Sequence, residues 1–224
     1  MTLPADTLPV NEMFETIQGE GYYAGTPAIF IRLQGCPVGC PWCDTRYTWD
    51  FTPAQQIDPG EMMTKEPGQP TYAMLHALSI KKLCQSYMSR HIVITGGEPC
   101  LYDLVALTDC LLRDGRTVQI ETSGTHAIRC MPATWVTVSP KFDMPGGYAV
   151  QPEAIQRANE IKMPVGSNRD IVKLFAMLDR HKPDVPIYLQ PLSLSQRATQ
   201  LCVETAIANN FRVSLQVHAL AGWR

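Results

Sequence analysis

No apolar run in the 224-residue chain approaches the roughly 20 residues that a membrane-spanning helix requires, so no membrane contact is expected. Basic clusters are missing too. The net charge is −2, and without a lysine- or arginine-rich stripe there is no electrostatic footprint for nucleic acid. A small-molecule substrate fits this balance better. The opening MTLPADTLPVNEMF has neither a basic start nor a long apolar stretch, which speaks against a secretory signal and for a cytoplasmic location. Internal repeats and low-complexity tracts are lacking, and so is a second cysteine knuckle. Of the eight cysteines, Cys84, Cys100, Cys110, Cys130 and Cys202 stand singly and read as small buried apolar residues. A reducing compartment disfavours a disulfide framework, so the three that cluster read as metal ligands or catalytic thiols.

With 45% hydrophobic residues the chain can build one sizeable core, and residues 1–224 are read as a single domain. Strand patterns at 28–33 (AIFIRL), 92–95 (IVIT), 118–121, 135–139, 185–190 and 212–217 alternate with helical patterns at 103–113, 153–161, 170–180 and 196–209. Such alternation predicts βαβ units and a parallel sheet. About a dozen residues separate Thr122 from Trp135, close to the minimum crossover, so one helix is missing or stunted there. The expected fold is α/β, an incomplete (β/α) barrel. Residues 50–70 hold Pro53, Pro59, Gly60, Pro67, Gly68 and Pro70, show no clean period, and read as an irregular insertion.

The loop after the 28–33 strand reads LQGCPVGCPWCDT. Cys36, Cys40 and Cys43 fall within eight residues, so they share one loop and can converge on one point. Thiolates are the usual ligands of iron–sulfur clusters, which normally take four. Three cysteines leave one iron without a protein ligand, open to the amino and carboxylate groups of a small molecule. Structural zinc is the alternative, but zinc wants four closed ligands. After IVIT comes GGEPC. Gly96 and Gly97 permit positive φ and close approach to a ligand, and Glu98 followed by Pro99 suits a helix entry. Ser139, Pro140 and Lys141 end one strand, and Gln190, Pro191, Leu192 and Ser193 end another. Both lie at the rim where α/β folds keep their chemistry. A surface lysine is an equal reading of Lys141.

On the substrate side, FETIQGEGYYAG offers the Gln18 amide, the Glu20 carboxylate and backbone exposed at Gly19 and Gly21. Such a set can read the edge of a flat heterocycle, though a solvated hairpin turn explains it as well. Strand alternation places Ala28, Phe30, Arg32 and Gln34 on one face. An arginine on a mostly buried strand needs an anion, either a substrate carboxylate or an internal partner. The Thr45 hydroxyl could ligate Mg2+ if charged oxygens came from elsewhere, or could cap a turn.

The CxxxCxxC spacing, Trp42 before the third cysteine and the GGE turn resemble the radical S-adenosylmethionine superfamily. From residue 11 to about residue 218 the chain is similar to the 7-carboxy-7-deazaguanine synthase family of queuosine biosynthesis. The likeness is strongest in NEMFETIQGEGYYAGTPAIFIRLQGCPVGCPWCDT, HIVITGGEPC, QIETSGTH, TWVTVSPK and SLQVH. It implies an incomplete barrel of the radical S-adenosylmethionine type, a lyase activity, and a [4Fe–4S] cluster on Cys36, Cys40 and Cys43. It implies S-adenosylmethionine along Trp42, Cys43, Asp44, Gly97, Ser139, Pro140, Lys141, Gln190, Pro191, Leu192 and Ser193, and Mg2+ at Thr45. The implied substrate is 6-carboxy-5,6,7,8-tetrahydropterin, contacted by Ile17, Gln18, Gly19, Arg32 and Thr95. Glu121 and His218 are further candidates, a core histidine being an equal reading of His218. Ring contraction with loss of ammonia would give 7-carboxy-7-deazaguanine, with no protein acid or base demanded where the hydrogen is taken. A flavodoxin-like reductant and a homodimer are implied as well. Residues 52–70 and the tail 219–224 depart from the family pattern. Two rival functions share the cysteine loop: an activase that takes hydrogen from a partner protein's glycine, and a non-catalytic metal-binding module.

Overall fold

The computed structural model describes residues 6–222. The strands are β1 (Thr7–Ile17), β2 (Pro27–Leu33), β3 (Ala73–His76), β4 (His91–Gly96), β5 (Thr117–Thr122), β6 (Trp135–Val138), β7 (Glu160–Val165), β8 (Ile187–Pro191) and β9 (Arg212–Val213). The helices are α1 (Pro59–Thr64), α2 (Ala77–Cys84), α3 (Val105–Arg113), α4 (Pro152–Arg157), α5 (Asn168–His181), α6 (Gln196–Asn209) and α7 (Val217–Leu220). Among the described residues the strands form one nine-stranded sheet in the order β3-β1-β2-β4-β5-β6-β7-β8-β9. Pairing is parallel from β2 to β9, whereas β1 runs antiparallel to both β2 and β3. The edge strands β3 and β9 do not meet, so the sheet is an open, incomplete barrel. Among the described residues no helix lies between β5 and β6, as the short connection requires, and none is long and apolar enough to cross a membrane.

Strands of a parallel sheet are covered on both faces and read as continuous apolar runs. That is why IVIT stands out: Ile92, Val93 and Ile94 are fully buried. One core joins Ile29, Ile31, Ile92 and Ile94 to Ile80 of α2 and Leu107 of α3. A second joins Val136, Ile161 and Leu189 to Leu174 of α5 and Cys202 of α6. The opposite side of the strands faces a cavity, and it is there that the sheet carries polar side chains.

Several sequence readings are corrected. The helix expected at 153–161 stops at Arg157, and residues 160–165 are β7. EIKMPV hid this strand because Glu160 and Lys162 are charged yet only 0% and 4% exposed, while Ile161, Met163 and Val165 enter the second core. Pro164 lies past the last β6 pair, where β7 has one neighbour and a missing N–H is tolerated. The strand expected at 212–217 is two residues long, and Val217 opens α7, its N–H reaching the Gly19 carbonyl at 3.0 Å. The 103–113 helix begins at Val105, whose N–H is capped by Asp103 Oδ1 at 3.0 Å. β1 escaped detection because a register shift between Val10 and Glu12 and the buried polar pair Asn11–Glu12 break its alternation. Within the 50–70 stretch, residues 59–64 form α1, whose Met62 is buried against the first core. Trp223 and Arg224 of the atypical tail lie outside the described residues.

Candidate active site

β2 delivers the chain into the cysteine loop through Gln34 and Gly35. The loop is held by backbone: Gly35 N–H donates to Thr48 O (2.7 Å), Cys36 N–H to Trp49 O (3.0 Å) and Cys43 N–H to Cys40 O (3.0 Å). From outside, Gly146 N–H donates to Val38 O at 3.1 Å. Cys36, Cys40 and Cys43 are free thiols on the wall of one cavity of about 440 Å3. Burial pushes the Cys36 thiol up to about 11 and raises Cys40, so these sulfurs stay protonated unless a metal displaces the proton. The Trp49 indole N–H donates to Cys43 Sγ at 3.4 Å. Among the described residues no three His, Cys, Asp or Glu side chains converge on a single ion. Three free thiols, an N–H donor onto one sulfur and an adjoining cavity fit an iron–sulfur cluster.

The GGE turn abuts this loop. Gly96 has φ +114°, and a Cβ on Gly97 would lie 2.0 Å from Gly35 O, so the two backbones touch. Gly97 N–H donates to Leu33 O and Glu98 N–H to Gly35 O, both at 2.8 Å, locking the end of β4 to the cysteine loop. The Glu98 carboxylate is 1% exposed and accepts from Cys100 N–H (2.9 Å), Thr122 Oγ1 (2.6 Å), Ser123 N–H (2.8 Å) and Ser123 Oγ. Its role here is to tie the ends of β4 and β5 together. Pro99–Leu101 is a 3-10 turn, not the start of the long helix.

Most residues singled out from the sequence meet in this cavity. Ile17 ends β1 and Gln18 follows it, Arg32 comes from β2, and Thr95 comes from β4 with Gly97 just after that strand. Trp42, Asp44 and Thr45 lie on the cysteine loop, Ser139 and Lys141 follow β6, Gln190 and Pro191 end β8, and Leu192 and Ser193 follow it. Two are not on the wall. Pro140 is buried outside it, and Gly19 packs against the His218 ring and receives Val217 N–H on its carbonyl. Lys141 is no surface lysine: its ammonium donates to Ser139 O (2.9 Å) and Ser139 Oγ (2.6 Å). Ser193 takes φ +53°, a left-handed conformation that a non-glycine residue adopts only when its surroundings impose it. Thr45 is buried, with Oγ1 3.4 Å from Gly96 O and 3.5 Å from Cys43 Sγ. Arg32 finds its anion inside the protein, Nε lying 2.9 Å from Glu12 Oε1 and the guanidinium stacking over Phe14. His218 lines the cavity from the first turn of α7.

Sequence reasoning missed Lys162, Gln119 and Gln216. Lys162 Nζ donates to Glu20 Oε2 at 2.5 Å and to Glu121 Oε2 at 2.7 Å. Glu20 also accepts from Gln190 Nε2 (3.1 Å) and Gln216 Nε2 (2.7 Å), and Glu121 from Gln18 Nε2 (3.3 Å) and Gln119 Nε2 (3.1 Å). Gln119 continues the belt to Thr137 Oγ1 and His91, and Thr137 to Glu160. Burial pushes Glu20 up, but the charge and hydrogen bond of Lys162 outweigh it and hold the carboxyl at about 2. Burial raises Glu121 to about 7 against the pull of Lys162, with Glu20 and Glu160 adding to the rise. Two carboxylates on one ammonium titrate as a coupled unit. The only available signal was the period-two spacing of Glu160, Lys162 and Pro164.

The cavity thus has a thiol rim at the strand ends and a polar belt deeper in the sheet. A family model described as a 4Fe-4S single cluster domain matches residues 17–127. The 7-carboxy-7-deazaguanine synthase of Escherichia coli strain K12 is 53% identical over 215 residues, covering 94% of this chain and 96% of its own length. The synthase of Buchnera aphidicola subsp. Schizaphis graminum is 44% identical, with 94% and 96% covered. That of Synechocystis sp. PCC 6803 is 33% identical, with 96% and 93% covered. The crystal structure of QueE from Escherichia coli superposes with a TM-score of 0.91 at 50% identity, covering 95% of both chains. A cysteine trio on the loop after β2, set in an open, mostly parallel barrel that matches these relatives along nearly its whole length, places the chain in the 7-carboxy-7-deazaguanine synthase family of radical S-adenosylmethionine lyases.

Proposed function

We propose that the protein converts 6-carboxy-5,6,7,8-tetrahydropterin to 7-carboxy-7-deazaguanine by radical ring contraction with loss of ammonia. The observation that carries this reading is the single cavity joining three free thiols to a belt of carboxylates and amides. Cys36, Cys40 and Cys43 would hold the [4Fe–4S] cluster. When bound, the cluster supplies the electron that splits S-adenosylmethionine into methionine and a 5′-deoxyadenosyl radical able to take a hydrogen atom from the substrate.

The chain's own residues bind, orient and exclude water. Trp42, Cys43, Asp44, Gly97, Ser139, Lys141, Gln190, Pro191, Leu192 and Ser193 would line the S-adenosylmethionine end, with Pro140 behind them. Ile17, Gln18, Arg32 and Thr95 would face the pterin, and Gly19 would seat His218 beside it. Arginine carries five N–H donors. Glu12 engages Arg32 at Nε, and the terminal nitrogens would serve the pterin carboxylate. Thr45 offers a neutral oxygen beside Gly96 O, so Mg2+ there would draw its anionic oxygens from that carboxylate. Holding the reacting carbon close in a dry cavity is the main task of these residues. The whole chain would act as one domain in the cytoplasm, as a homodimer reduced by a flavodoxin-like protein, with residues 50–70 as an accessory excursion.

The test is anaerobic incubation of reconstituted protein with S-adenosylmethionine, Mg2+, a reductant and the pterin, read by mass spectrometry. Product is expected from the wild type. Arg32→Ala should keep its iron and lose about a hundredfold or more of its pterin turnover, since a bidentate anchor to carboxylate is removed. A wild type with full iron and no product, or an Arg32→Ala variant with unchanged turnover, would overturn the reading.

A further inference from the structure

The buried belt holds one lysine against two glutamates. Lys162 is 4% exposed, and its ammonium sits between Glu20, from the loop after β1, and Glu121, on β5. Each ionised carboxylate has about four acceptor positions. Glu20 receives Lys162, Gln190 and Gln216, and Glu121 receives Lys162, Gln18 and Gln119. One acceptor position is left on each, and both residues line the cavity. Without the ammonium, two like charges could not stay this close.

We propose that Lys162 is a positioning residue that fixes Glu20 and Glu121 as a two-point acceptor for the amino-bearing edge of the substrate heterocycle. The inference rests on the pterin reading above and deepens it. This acceptor pair, on which Lys162 spends two of its three N–H donors, favours a ring edge that presents N–H groups. It disfavours one in which the amino group is replaced by a carbonyl, whose oxygen would meet carboxylate oxygen. Glu121 must be ionised to serve, so its proton affinity should be visible in binding. The charged groups facing it are Lys162 and Glu160 on β7, Glu20, and Lys141 after β6, with His218 acting on Glu20. Lys162 and Lys141 favour the ionised form, whereas Glu20 and Glu160 oppose it.

The experiment compares wild type, Lys162→Arg and Lys162→Met, each reconstituted and scored for iron and for S-adenosylmethionine cleavage. KM and kcat for the pterin are followed from pH 6 to 9. Arginine keeps the charge but cannot occupy the volume of an ammonium between two carboxylates. Lys162→Arg should therefore raise KM about tenfold or more, leave the acid limb of kcat/KM in place, and lose preference for the 2-amino ring over its 2-oxo analogue. Lys162→Met removes the charge, so the acid limb should move up by about one pH unit or more. A role in folding alone would shift neither the limb nor the 2-amino preference. Wild-type KM and selectivity in Lys162→Arg overturn the proposal, as does an unmoved limb in an iron-loaded Lys162→Met. If Lys162→Met fails to hold iron, Lys162→Arg decides alone. A wild type that never turns over the pterin instead refutes the function on which the proposal rests.

Discussion

Replacing Gly97 by alanine tests whether the contact between the GGE turn and the cysteine loop builds the metal site. The added Cβ would lie 2.0 Å from Gly35 O and 2.6 Å from Gly35 C. A carbon–oxygen contact settles at about 3.3 Å, so the two backbones must part by more than about 1 Å. Neither side is a flexible side-chain tip, and the bond from Glu98 N–H to Gly35 O (2.8 Å) spans the same gap. Overpacking costs roughly 1–3 kcal/mol, and a buried backbone hydrogen bond lost with it roughly 1–3 kcal/mol more. At roughly 2–4 °C per kcal/mol for a chain of this size, apo Gly97→Ala should melt roughly 5–20 °C below wild type by circular dichroism. Because Gly35 precedes Cys36, iron per chain after anaerobic reconstitution should fall as well. Gly60→Ala is the control: nothing lies within 4 Å of its would-be Cβ in α1, so its effect should stay within about 1 kcal/mol, toward greater stability. A Gly97→Ala protein with wild-type melting and full iron would refute the reasoning.

Glu98→Ala leaves four buried donors without their carboxylate. The apo protein should lose roughly 3–5 kcal/mol, read as a lowered urea midpoint, and a midpoint equal to wild type would argue that Glu98 does not clasp β4 to β5. Burial holds His91 below its ordinary range, between Thr117 Oγ1 and Gln119 Oε1 at 2.9 Å each. Its contribution to stability is complete above the unfolded value near 6.5 and is lost as pH falls toward the depressed folded value, with a slope of up to about 1.4 kcal/mol per pH unit. Stability measured from pH 8 down to 5 should fall more steeply in wild type than in His91→Gln, and equal slopes would remove His91 from the account. Trp49→Phe deletes the N–H donated to Cys43 Sγ, which favours the more negatively charged reduced cluster. The midpoint in an EPR redox titration should drop on the order of tens of mV, and an unchanged midpoint would show that this contact does not tune the cluster.

What the sequence made legible was what repeats locally. The CxxxCxxC loop, the glycine pair after a buried strand and the strand-end SPK and QPLS segments each carry their meaning within a dozen residues, and all open onto the same cavity. What escaped depended on partners far along the chain. Lys162 looks like a solvated charge until Glu20, 142 residues away, and Glu121, 41 away, are brought to it. Arg32 correctly read as needing an anion, but only the antiparallel register of β1 on β2, which sets Glu12 opposite Arg32, supplies one from within. β7 was misread for the same reason: alternation of charge with apolar residues signals a solvent-facing strand or a helix end, unless the polar face turns inward onto a lumen.

Two buried amides gather the ends of the 50–70 stretch beside the cysteine loop. Asn11 and Gln34 are both fully buried, and Asn11 Nδ2 donates to Gln34 Oε1 at 2.7 Å. The two N–H groups of Asn11 are shared with Gln69 O (2.9 Å) and Thr71 O (3.0 Å) as well, while Gln34 Nε2 donates to Tyr47 O (3.1 Å) and Asp50 O (2.6 Å). Both ends of the 50–70 stretch are thus gathered onto one amide pair, two residues before Cys36. Once the ends are pinned together, the length between them enters stability only through loop closure, at about 0.6 kcal/mol per doubling. The content of the excursion is felt through Met62 of α1, which packs on the first core, and through Lys65, whose ammonium donates to Asn11 Oδ1 (3.3 Å) and Gln69 O (3.1 Å). The cysteine loop is thus anchored through Asn11, Gln34 and the Gly35–Gly97 contact, and Lys65 is the residue of the excursion that reaches this anchor.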